Sequence, residues 1–172
     1  EPAVYNENKV LLVTNDLGPR AGGIETFVLG LVEGLQKNSL VIYTSSQKGD
    51  EAFDLDLLNK FGAVVIRDRA KILLPTPRIS RRAARILKQY QIKNVWFGAA
   101  APLGLMANQL RKAGATNIVA LSHGHEVWWA RIPILRGLLK KIIKEVDHLG
   151  YLGDFTKSKI IKISGAENKF VQ

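Results

Sequence analysis

At 172 residues and 47% hydrophobic, the chain is long enough to bury one sizeable core and short for two ordinary domains. The absence of cysteine excludes a disulfide scaffold, a thiol nucleophile and a cysteine metal site, and no apolar run approaches the roughly 20 residues of a membrane span, so a soluble protein of a reducing cytosol is expected. Lys and Arg number 25 against 15 Asp and Glu, and a net charge of +10 implies an anionic partner: nucleic acid, a phospholipid surface or a phosphorylated small molecule.

In chain order, residues 1–8 are polar and lack the apolar core of a signal peptide. An apolar run over 10–13 predicts a strand, and Ile24, Phe27, Val28, Leu31, Val32 and Leu35 recur at the spacing of one helix face. Between them lies Thr14-Asn15-Asp16-Leu17-Gly18-Pro19-Arg20-Ala21-Gly22-Gly23, a strand-to-helix turn. Gly22 and Gly23 permit positive φ and allow an anion to approach unpaired N–H groups at a helix start, where the helix dipole also favours negative charge. A plain tight turn satisfies the same residues. The spaced G-x-G-x-x-G fingerprint and the Lys-Ser/Thr of a P-loop are both missing.

A second strand is predicted over 40–44, a short helix from a capping Asp50 to about 61, and a third strand over 63–66. Pro75 and Pro77 break the chain before a helix over about 78–90. A strand over 94–97 leads into the small-residue turn 98–102, with Pro102 opening a helix to about 112. The fifth strand, over 117–121, ends at Ser122-His123-Gly124-His125-Glu126, and a helix over about 134–146, a strand near 148–152 and a helix capped by Asp154 complete the chain. Alternating strands and helices with nearly all-apolar strands predict an α/β, Rossmann-like doubly wound domain with a mostly parallel sheet. Ligands bind such sheets at the carboxyl ends of the strands, so the segments 14–23, 98–102 and 122–126 should converge on one rim.

The charge is concentrated on two helices. Arg78, Arg81, Arg82 and Arg85 fall in one stripe beside an apolar face of Ile79, Ala83, Ile86, Leu87 and Tyr90, and Arg136, Lys140, Lys141 and Lys144 repeat the pattern. A solvated outer face is the plain account of either helix. Two together suit an anionic lipid surface, at about 1 kcal/mol per surface cation. Nucleic acid is disfavoured, because exposed aromatics do not interleave with the cations and no nucleic-acid motif is present. His123-x-His125-Glu126 is a weak metal signature, and its histidines suit equally a structural loop contact or a polar contact to substrate.

Four strings together, Asn15-Asp16-x-x-Pro19-Arg20-x-Gly22-Gly23-Ile24, Val95-Trp96-Phe97-Gly98-Ala99-Ala100-Ala101-Pro102-Leu103, His123-Gly124-His125-Glu126 and Glu145-Val146-Asp147, resemble the N-terminal domain of a family 4, GT-B glycosyltransferase. Within it they are most similar to the phosphatidylinositol monomannoside mannosyltransferases. The resemblance runs from about residue 9 to the C-terminus, and the Trp-Phe-Gly-Ala-Ala-Ala-Pro-Leu string carries its specificity.

The resemblance implies the N-terminal half of a GT-B fold: a domain over 9–172 on the acceptor side, with residues 1–8 as an extension or remnant. It implies metal-free, retaining α-1,6 transfer of mannose from GDP-mannose to a phosphatidylinositol monomannoside. The enzyme would be peripheral on the cytoplasmic face of the plasma membrane. By motif position, Gly22 and Gly23 would lie against the donor diphosphate and His123 against the transferred sugar. Asn15, Asp16, His125 and Glu126 would border the acceptor, while Arg78, Arg81, Arg82 and Arg85 would meet the membrane or lipid phosphate. The family's donor-binding C-terminal domain, with its E-x7-E motif, has no counterpart here, so this fragment alone should be inactive. The alternative is a stand-alone Rossmann-like module that binds a phosphorylated ligand or an anionic membrane.

Overall fold

The structure is a computed structural model and describes residues 9–15, 17–18, 38–99, 102–122, 133–151 and 170–171. Strands β1 (Val10–Thr14), β2 (Leu40–Ser45), β3 (Val64–Asp68), β4 (Asn94–Phe97), β5 (Asn117–Ser122), β6 (His148–Tyr151) and β7 (Phe170–Val171) form one sheet in the order β3-β2-β1-β4-β5-β6-β7. Every pairing in it is parallel. Buried side chains throughout β1 and β2 are what a sheet covered on both faces demands.

The described helices are α1 (Asp50–Phe61), α2 (Pro77–Gln89), α3 (Ala107–Lys112), entered through a 3-10 turn at Leu103–Met106, and α4 (Pro133–Glu145). Two cores follow from the strand alternation. Leu11, Val13, Val41, Tyr43, Val95 and Phe97 face a layer built by Ile79, Ala83 and Ile86 of α2, Met106 and Leu110 around α3, and Ile142 and Ile143 of α4. Val10, Leu12, Leu40 and Ile42 point the other way, towards Leu57 of α1. The helices α2, α3 and α4 thus share one face of the sheet, and α1 covers the opposite one.

The predicted α/β doubly wound class is the observed one, and most of its elements stand within two residues of their expected bounds. Four details differ. Asp50 is not the cap of α1: Gly49 holds that position at φ 82°, and the Asp50 carboxylate instead accepts the Gln47 N–H at 3.2 Å. The strand expected over 63–66 runs later, through Arg67 and Asp68, since pairing with Thr44 and Ser45 of β2 outweighs their polarity. Pro102 precedes a 3-10 turn rather than opening an α-helix. Helix α2 begins at Pro77, one residue before expectation, because Thr76 caps it by accepting the Ile79 N–H at 3.3 Å and proline suits the first helical position. The helices expected after Gly23 and from Asp154 lie outside the described residues.

Candidate functional site

The chain leaves β1 for β2 on one side, while β4 takes the place on the other, so the sheet order reverses between β1 and β4. In open parallel sheets the ligand crevice lies beyond the carboxyl ends at this switch point. Val13 is in register with Phe97, and Gly98 N–H continues the ladder by donating to Val13 O at 2.8 Å. Gly98 is needed for that closeness, because a Cβ there would lie 2.4 Å from Thr14 Oγ1. Next in line, Phe97 pairs with Ala120 of β5. The segments that begin at residues 14, 98 and 122 therefore leave three adjacent parallel strands at one rim, as the sequence predicted.

Asn15 stands at the end of β1 with both ends of its amide engaged. Its Oδ1 accepts the Leu73 N–H at 2.7 Å and its Nδ2 donates to Leu73 O at 3.1 Å, the exchange a backbone partner would make. Leu73 is buried, so Asn15 locks the loop 69–76 against the rim. Asp16, Gly22, Gly23, His123, His125 and Glu126, the other residues assigned to donor, sugar and acceptor, lie outside the described residues.

The arginine stripe of α2 divides into two pairs. Asp68, fully buried at the end of β3, accepts Arg78 Nη2 at 2.8 Å, Arg78 Nη1 and Arg82 Nη1 each at 3.1 Å, the Tyr43 hydroxyl at 2.6 Å and the Ala70 N–H at 2.9 Å. Burial alone would raise the Asp68 pKa, but the donors from Arg78, Tyr43 and Ala70 outweigh it and hold the carboxyl well below the usual range. Tyr43 is driven the other way, first by burial and then by the carboxylate it donates to. The Arg82 guanidinium lies 5.7 Å from the centre of the Tyr43 ring, within cation–π range. Arg85 and Arg81, whose Nε donates to Pro77 O at 3.1 Å, are exposed and take no part in the Asp68 network.

All four arginines line a depression of ≈230 Å³. Arg81 and Arg85 also line a neighbouring groove of ≈400 Å³ between α2 and α3, with Lys88, Gln109 and Lys112. These hollows have cationic walls without an acid, although Asp68 lies beneath the first. Among the described residues, no helix is long and apolar enough to cross a membrane.

Sequence reasoning missed Arg67. On the face of β3 opposite Asp68, it donates to both oxygens of Asp54 on α1, to Ser45 O at 2.9 Å and to Gly18 O at 2.9 Å. Its only advance signal is a cation placed directly after the apolar run of the third strand, where a second half-turn of strand buries it.

Comparison with known proteins decides what this rim belongs to. The profile of Glycosyltransferase Family 4 matches residues 21–170. The chain belongs to this family. It is 37% identical over 161 residues to a GDP-mannose-dependent alpha-(1-6)-phosphatidylinositol monomannoside mannosyltransferase of Mycobacterium tuberculosis, covering 92% of this chain and 42% of that protein. A GDP-mannose-dependent monoacylated alpha-(1-6)-phosphatidylinositol monomannoside mannosyltransferase of Corynebacterium glutamicum is 40% identical over 162 residues, covering 94% of this chain and 42% of the relative. The family 4 chain thus spans about two fifths of the length of these relatives.

Among solved structures, Anabaena Alr3699/HepE in complex with UDP superposes with a TM-score of 0.66 at 9% identity, over 95% of this chain and 43% of that one. The N-terminal domain of Candida albicans trehalose-6-phosphate phosphatase gives a TM-score of 0.59 at 11% identity, covering 96% of this chain and 44% of that structure. At such identities the likeness is one of fold, and it agrees with the Rossmann-like architecture.

Proposed function

We propose that this family 4 chain is the N-terminal, acceptor-side half of a GT-B mannosyltransferase that moves mannose from GDP-mannose to a phosphatidylinositol monomannoside at a membrane surface, with retention at the anomeric carbon and without a metal. The observation that carries the proposal is the 37–40% identity to phosphatidylinositol monomannoside mannosyltransferases over more than nine tenths of the chain. The rim between β1 and β4 supports it, since that is where a doubly wound domain receives a ligand. Gly22 and Gly23 take the donor diphosphate, and His123 lies against the transferred sugar. The acceptor is bordered by Asp16, His125 and Glu126, with Asn15 acting through the loop it locks. Departure of the nucleotide leaves developing negative charge on the diphosphate, which backbone N–H groups at a helix start stabilise best when already in place. The basic helices hold the enzyme to the inner leaflet, where the acceptor resides.

A donor-binding C-terminal domain completes the site in this proposal, so the test uses the full-length protein. Incubated with labelled GDP-mannose and vesicles that carry phosphatidylinositol monomannoside, it should yield a dimannosylated lipid both with and without EDTA. Absence of the product, or transfer that stops with EDTA and returns with a divalent ion, would overturn the proposal in its first or second part.

A further inference from the structure

Arg67 and Asp54 are set apart from the other ion pairs by burial and by what they touch. Their side chains are 11% and 19% exposed, whereas the Asp56 and Lys60 pair on α1 is more than half exposed. The guanidinium bonds Asp54 through Nε at 3.0 Å and Nη2 at 2.7 Å, which satisfies its charge. Its remaining bonds go to carbonyls: Nη1 to Ser45 O at the end of β2, and Nη2 to Gly18 O in the segment that leaves β1. One planar group therefore ties together α1, β2 and the glycine segment, reaching 49 residues back along the chain. The registers Thr14 with Thr44 and Thr44 with Arg67 place it in a row across the carboxyl end of the sheet.

We propose that Arg67 is a positioning residue for the donor diphosphate, fixing the backbone that leads to Gly22 and Gly23 before the donor arrives. This rests on the reading of that turn as the diphosphate site. Residues 18–23 contain three glycines, which lose more conformational freedom on ordering than any other residue. Ordering such a segment on binding costs donor affinity, and the bond from Arg67 to Gly18 O would lessen that cost. The role is geometric, because Asp54 has already taken the charge. Lysine cannot replace it: a single ammonium has no planar fork with which to hold the carboxylate and both carbonyls in one arrangement.

In the full-length protein, Arg67→Lys should raise KM for GDP-mannose about tenfold, leave kcat at saturating donor within about twofold and leave KM for the acceptor lipid unchanged. Amide exchange in residues 16–23, measured without substrate, should quicken. Asp54→Asn keeps the acceptor oxygen and weakens the anchor, so it should move both readouts the same way but less. A purely structural role would lower the fraction of active enzyme, and kcat would fall at constant KM; that result would overturn the proposal. Gly22→Val separates the tether from the site it serves. If Gly22→Val raises donor KM while Arg67→Lys does not, the tether is refuted and the diphosphate site stands; if neither does, both fall. Should Arg67→Lys fail to fold, the same two outcomes are read from Asp54→Asn.

Discussion

Asp68 ties two of the four stripe arginines, themselves 42% and 37% exposed, to one buried carboxylate. A carboxylate with no exposure survives in a sheet only when its lone pairs are filled, and five donors fill them here. Asp68→Asn keeps the shape and removes the charge, and should cost about 2 kcal/mol at neutral pH, the scale of a hydrogen bond to a charged group. The pH dependence follows from the direction of the shift. Because the native pKa is depressed, the stabilisation is fully present above the unfolded value near 4 and is lost as pH falls from there through the native one. Thermal melts of wild type and Asp68→Asn should therefore be separated by a constant gap from about pH 5 to 8 that narrows as pH drops below about 4. A gap that widens in acid would reject Asp68 as the ionised centre of the network.

At the scale of elements, the strands and most helices were legible because each announces itself locally: apolar runs for buried strands, Pro75 and Pro77 for the break before α2, and apolar spacing for its buried face. Local signals fail where a distant partner decides. Arg67 and Asp68 look like loop residues after Val64-Val65-Ile66, and only the pairing with β2 extends the strand through them. The spacing revealed the arginine stripe of α2 but not the carboxylate beneath it, which comes from another element. Asn15 was visible as part of a family string, whereas its engagement with Leu73, 58 residues away, was not. Gly104 is a further case. In sequence it is an unremarkable residue after Pro102, yet a Cβ there would sit 2.6 Å from Ile142 Cγ2, so it sets how closely α4 lies on the 3-10 turn. Gly104→Ala should destabilise the chain by about 1–3 kcal/mol through overpacking. Ile142→Ala should cost about 2–5 kcal/mol, and the double variant about 1 kcal/mol less than the sum, since truncation relieves the clash. Strict additivity in denaturant titrations would show that the two do not meet.

At the scale of the molecule, the charge of the described helices is divided by the sheet. Helix α1 carries Asp50, Glu51, Asp54 and Asp56 against a lone Lys60, whereas α2, on the other face, carries Arg78, Arg81, Arg82, Arg85 and Lys88 with no acid. Arg111 and Lys112 of α3 and Lys140, Lys141 and Lys144 of α4 add to the basic side. On the proposed membrane reading, a body polarised in this way would present α2, α3 and α4 to an anionic leaflet and turn α1 away from it. The Asp68 network then ranks the cations. Arg78 and Arg82 share a carboxylate, so Arg81 and Arg85, which line both hollows, should contribute most. With about 1 kcal/mol per cation near the surface, reversing both charges in Arg81→Glu/Arg85→Glu should weaken partition onto anionic vesicles by at least about 30-fold. Neutralising acids on the far side, Asp50→Asn/Glu51→Gln, should change it by less than about twofold, because charges turned away lie more than a Debye length of about 8 Å from the lipid. Binding of wild type should weaken between low and high salt and disappear on neutral vesicles. Co-sedimentation, with circular dichroism to confirm that each variant is folded, reads all of these at once. If Arg81→Glu/Arg85→Glu sediments like wild type, or if the α1 variant loses binding as strongly, the basic face is a solvated helix layer and the membrane part of the proposal falls.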